Sequence, residues 1–134
     1  GCIPYKRGSK SSGARVREAL KSALVEARNP VLVFPEGTAR ESGPPLPFKH
    51  GSLLSAYSLN VPVQPVSLWY SESIGLSLTA DTLSQLSNMV RFPMQCALKV
   101  GALIFPSDFD DAQAFADAIE KEINRNYVTL DPSL

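Results

Sequence analysis

A chain of 134 residues, 44% hydrophobic and 19% charged, has the size and composition of one folded domain and excludes a disordered chain. Its 13 basic and 13 acidic residues cancel, which removes any global attraction to nucleic acid. The charges are unevenly placed, however. Lys6, Arg7, Lys10, Arg15, Arg17, Lys21 and Arg28 are offset only by Glu18 and Glu26, so the N-terminal portion suits an anionic ligand or membrane surface, while the stretch from Asp108 to Asp131 is acidic.

Cys2 and Cys96 both lie in apolar runs and read as buried free thiols, which points to a reducing compartment. One histidine and no Cys-x-x-Cys leave no metal-ligand spacing. No apolar run reaches the roughly 18 residues of a membrane span, and no signal peptide is visible. The chain starts with Gly1 at the edge of an apolar segment, and is expected to be a piece of a longer protein.

In chain order, residues 2–5 read as the end of a strand entering a basic loop at 6–13. Residues 14–28 form a predicted helix, with Val16, Leu20 and Leu24 on one face beside Ala19 and Ala23, ended by Asn29-Pro30. The basic face Arg15, Arg17, Lys21, Arg28 reads either as the wet side of that helix or as a contact for anionic headgroups. Val31-Leu32-Val33-Phe34 is a predicted short strand buried on both faces. Pro35 stops its ladder, and Glu36, Gly37, Thr38 and Arg40 follow beyond its carboxyl end, where ligands bind in open α/β sheets. An arginine there can grip a phosphate with two parallel hydrogen bonds, although the plain reading is a solvated polar turn.

Residues 41–47 are a Pro/Gly-rich loop. Phe48-Lys49-His50-Gly51 leads into a predicted helix over 52–59, closed by Asn60. Residues 61–69 are a predicted strand whose Pro62 and Pro65 demand an edge or irregular position. Trp69 and Tyr70 fit either a core cap at the strand end or a membrane interface. A loop over 70–79, a helix over 81–89 and a strand over 95–105 broken near Gly101 come next. Pro106-Ser107-Asp108 then sets up a last helix with Ala112, Phe115, Ala116, Ile119, Ile123 and Tyr127 inward. The alternation predicts an α/β fold with a mostly parallel or mixed sheet flanked by helices.

Three of these segments together (Glu36-Gly37-Thr38-Ala39-Arg40, Phe48-Lys49-His50-Gly51 and Val61-Pro62-Val63-Gln64-Pro65-Val66), with residues 1–7 upstream, make the chain resemble the glycerolipid acyltransferase family. That family includes glycerol-3-phosphate, lysophosphatidic acid and lysophospholipid acyltransferases. The resemblance implies an acyltransferase-like α/β fold, of which residues 1–134 would be the C-terminal part of a single domain. It implies transfer of a fatty acyl group from acyl-CoA, as co-substrate and with no further cofactor, to a phosphorylated glycerol or lysophospholipid acceptor. It also implies a membrane-associated protein on the cytoplasmic face, at the endoplasmic reticulum if eukaryotic, with a membrane surface and no nucleic acid as partner.

By the same resemblance Arg7, Glu36, Gly37, Thr38 and Arg40 are the substrate-binding residues, and Pro62 and Pro65 shape the pocket. Two departures from the family pattern stand out. Ala39 is inserted before the arginine, and the His-x4-Asp block is absent: the single histidine, His50, is followed five places on by Ser55. His50 is therefore read as a turn or core-edge residue and the catalytic pair is expected upstream. The alternative reading is a catalytically inactive acyltransferase-like module that binds lipid or a partner.

Overall fold

The computed structural model describes residues 2–3, 12–38, 44–70 and 95–130. Arg7, Arg40 and the sequence-predicted segments over 6–11, 71–79 and 81–89 lie outside them. The described elements are α1 (Ser12–Lys21), α2 (Gly51–Ser58), β1 (Val66–Tyr70), β2 (Cys96–Val100) and α3 (Ala112–Val128). One π turn, Ser22–Glu26, continues α1, and one 3-10 turn, Pro106–Asp108, precedes α3.

α3 carries the core. Its inward residues recur at the helical period, and Phe115, Ala116 and Ile119 are all but fully buried. They pack on Leu53 and Ala56 of α2, with Phe48, Tyr57, Val63, Ile104, Phe109 and Ile123 around them. Phe115 meets Tyr57 and Phe109 at ring-centroid separations of 5.7 and 5.6 Å, in tilted and edge-on geometry that suits aromatic quadrupoles. Asp111 caps the helix, its Oδ1 accepting from the Ala114 N–H at 2.8 Å. The cap thus falls three residues beyond Asp108, which ends the preceding 3-10 turn.

α2 ends where the sequence indicated. Asn60 takes φ +51, the Asn60 N–H donates to the Tyr57 carbonyl and the Val61 N–H to that of Ala56. This six-to-one and five-to-two pair is a Schellman closure, with asparagine in the left-handed position usually given to glycine. The π turn that continues α1 is followed by Arg28 at φ +51, one residue before the predicted Asn29-Pro30 stop, and the Asn29 N–H donates to the Ala23 carbonyl.

The sheet differs from the expectation. Among the described residues it is an antiparallel pair, β1 with β2, and not a mostly parallel sheet. Val31-Leu32-Val33-Phe34 pairs in no ladder among the described residues, and it is not buried on both faces: Leu32 is 78% and Phe34 68% exposed. β-branched and aromatic residues favour an extended backbone, but a strand also needs a partner, and Pro30 and Pro35 remove a donor at each end. The strand predicted over 61–69 begins only at Val66 for the same reason. Pro62 and Pro65 bring no N–H, so Val63 makes a lone bridge with Ile104, and Gln64 and Pro65 then oppose residues 101–103. Two residues against three is a bulge, and Gly101 sits in it, its N–H donating to the Pro65 carbonyl at 2.9 Å. That bulge is the break foreseen near Gly101.

Register places Ser67, Lys99, Trp69 and Ala97 on the face toward α3, where the Ser67 hydroxyl donates to the Ile123 carbonyl and Lys99 Nζ to the Thr129 hydroxyl. Val66, Leu68 and Tyr70, paired with Val100, Leu98 and Cys96, form the other face. Leu98 and Val100 keep more than half of their surface exposed there. Cys96 and Cys2 are both exposed, so neither is the buried thiol expected from its apolar surroundings. An alternating strand has two faces, and only packing decides which one is inside. Phe115→Ala should lower stability by about 3–5 kcal/mol, read by chemical denaturation, because it opens a cavity between α3, α2 and Phe109.

Candidate functional site

The segment after Phe34 is a tight turn. Pro35 and Glu36 occupy its corner, and the Gly37 N–H donates back to the Phe34 carbonyl at 3.1 Å. Proline suits the first corner position of such a turn and glycine the residue that leaves it. Gly37 takes φ +63, where any side chain would be strained. Glu36 does not point freely into solvent: its Oε2 accepts the Leu46 N–H at 2.8 Å, across the loop ten residues on. Lys49 closes the other side, its N–H donating to the Pro35 carbonyl at 2.8 Å.

The segment Phe48-Lys49-His50 is tied to α3. Glu120 accepts the Phe48 N–H at Oε1, 3.3 Å, and the His50 Nε2–H at Oε2, 2.8 Å. Gln113 donates its amide to His50 Nδ1 at 2.9 Å and also to Asp117 Oδ1 at 2.7 Å. Those partners suit an imidazole carrying its proton on Nε2, with the Nδ1 lone pair accepting. His50 therefore serves as a turn and core-edge residue, as its context indicated, standing at the N-terminus of α2.

Glu36, Gly37 and Thr38 thus lie on one turn, with Thr38 exposed. Pro65 is fully buried against the core and Pro62 is exposed, so the two prolines do not share one surroundings. Lys49, Gln113 and Glu120 were not singled out by sequence reasoning. Lys49 carried a signal, its place in the Phe48-Lys49-His50-Gly51 segment, but Glu120 lies 70 residues from His50 on a polar helix edge that gives none. Among the described residues no group of three His, Cys, Asp or Glu side chains is placed to hold a metal ion, and no helix is long and apolar enough to cross a membrane.

The pattern that describes acyltransferases matches residues 1–69, about half of the chain, and covers the turn, the Lys49 segment and the start of β1. The chain belongs to the acyltransferase family. Among solved structures it is similar to the 1-acyl-sn-glycerophosphate (LPA) acyltransferase PlsC from Thermotoga maritima, with a TM-score of 0.61 and 24% identity over 92% of this chain. It spans 53% of that protein's length, and the likeness shows an acyltransferase-type fold. No curated protein sequence matches.

If Glu120 holds the His50 segment in place, His50→Ala and Glu120→Ala should be non-additive. A double-mutant cycle in denaturant should return a coupling of about 0.5–1.5 kcal/mol.

Proposed function

We propose that this chain is part of an enzyme that moves a fatty acyl group from a thioester, acyl-CoA, to the hydroxyl of lysophosphatidic acid or another lysophospholipid or glycerol phosphate. The observation that supports it best is the Glu36-Gly37-Thr38 turn itself, set within the residues that match the acyltransferase family and held between Leu46 and Lys49. A thioester is already activated, so the reaction calls for no redox or metal chemistry: the acceptor oxygen attacks the carbonyl carbon, the C–S bond breaks, and the hydroxyl proton ends on the departing thiol. A base must carry that proton.

His50 is engaged by Glu120 and Gln113, and Ser55 stands where a paired aspartate would be required. The base and its orienting carboxylate are then residues outside these 134, and this chain contributes acceptor binding. Arg7 and Arg40 would grip the acceptor phosphate. Glu36, by accepting the Leu46 N–H, would hold the turn in place. A lipid acceptor brings the protein to a membrane surface, and Tyr70 on the open face of β1, 47% exposed, has the amphipathic character that interfaces favour.

Acyl transfer by the full-length protein to lysophosphatidic acid tests this directly. Arg40→Ala should raise the acceptor KM by at least about tenfold, as expected for loss of a charge-assisted contact. Unchanged KM and rate would remove the phosphate role, and absence of transfer to any phosphorylated acceptor would leave a binding module.

A further inference from the structure

Among the described residues Lys49, at the turn, makes no ion pair. Its N–H is fixed to the Pro35 carbonyl, and its side chain runs back over Gly37. A Cβ placed on Gly37 would stand 2.9 Å from Lys49 Nζ, 3.1 Å from Cδ and 3.5 Å from Cε. The ammonium therefore occupies the bare side of a residue that has to be glycine on two counts, its φ of +63 and this contact.

The two carboxylates of this site each take hydrogen bonds from groups other than Lys49. Glu36 accepts from Leu46, and Glu120 accepts from Phe48 and His50. Among the described residues the ion pair is that of Arg125 with Glu122, and it does not include Lys49. Lys49 is exposed, and α2 begins two residues further on with no side chain capping its first amides, so the positive end of that helix adds to the same local potential. An exposed lysine usually carries its charge out into water on a freely moving stem. This one is laid along a turn, against the bare side of its glycine.

We propose that Lys49 is a binding residue for the phosphate monoester of the acyl acceptor, contacting it at the Glu36-Gly37-Thr38 turn. A compact ammonium suits a phosphate oxygen as a point charge, with no demand for two-pronged geometry. The inference rests on the acyl-transfer reading for the identity of the ligand, but not for the presence of an anion site. Acyl-CoA also carries phosphate groups, so the two substrates have to be separated by experiment.

In the full-length protein, Lys49→Gln should raise the acceptor KM about tenfold while the acyl-CoA KM stays within about twofold, the size of effect expected from one contact to a charged group. Lys49→Arg should restore most of the loss. Gly37→Ala, whose methyl group would push the ammonium aside, should act in the same direction as Lys49→Gln. Calorimetric titration with glycerol 3-phosphate should show the same weakening without any turnover. Unchanged acceptor KM, or a rise in acyl-CoA KM in its place, overturns the assignment. A protein that binds glycerol 3-phosphate through Lys49 yet transfers no acyl group keeps the site and sinks the acyl-transfer reading. Transfer that is indifferent to Lys49 does the reverse.

Discussion

Everything described near the turn depends on the docking of α3 against α2. Burial of Phe115 and Ile119 between Leu53, Ala56, Tyr57 and Phe109 is the dominant favourable contact of the described core, worth roughly 1.5–3 kcal/mol for each large side chain removed from water. That docking brings Glu120 to the loop before α2. Glu120 in turn holds Phe48 and His50, and the residue between them, Lys49, holds Pro35. The path from an apolar helix face to the Pro35-Glu36 turn runs through three hydrogen bonds, each with one partner on a backbone N–H or an imidazole ring.

Such an arrangement divides labour between two kinds of force. Apolar burial is non-directional and sets only where α3 lies. Hydrogen bonds to partly buried carboxylates are directional and set how the loop is oriented, since their net contribution is only about 0.5–1.5 kcal/mol each but their geometry is narrow. Glu36 does the same on the far side of the turn by taking the Leu46 N–H. The turn is thereby fixed from both flanks and by its own chain reversal, with Gly37 supplying the one backbone angle that other residues resist.

The sequence showed local structure well and tertiary arrangement poorly. α3 was legible because six inward residues recur at one period over four turns, and the end of α2 because asparagine tolerates a positive φ. The acyltransferase resemblance was legible because three short segments occur in order, and the family match over residues 1–69 bears it out. Residues 31–34 misled because four apolar residues state a preference for extension but cannot state whether a neighbouring strand exists. The cysteines misled for a related reason: an apolar neighbourhood in sequence is not an apolar neighbourhood in space. Glu120 was invisible, since nothing in an amphipathic helix marks which acidic residue will meet a loop 70 positions away. Of the candidate site, Glu36, Gly37 and Thr38 were placed together by simple adjacency, and Lys49 joined them through a backbone hydrogen bond to Pro35 and a side chain laid over Gly37.

The sequence distance spanned by those bonds has a consequence for how the chain reaches its native state. Phe48 to Glu120 closes 72 residues, His50 to Glu120 closes 70, and Ser67 to Ile123 closes 56. Contacts of that span impose their loop-closure entropy before they return any stability, and so they slow folding relative to a bundle held by local contacts. During synthesis the segment carrying Glu36 and Lys49 leaves the ribosome well before Glu120 exists. α2 can coil at once, but the loop that precedes it has no carboxylate to settle on until α3 follows. The orientation of the turn is therefore among the late events of folding, completed by residues near the other end of the chain.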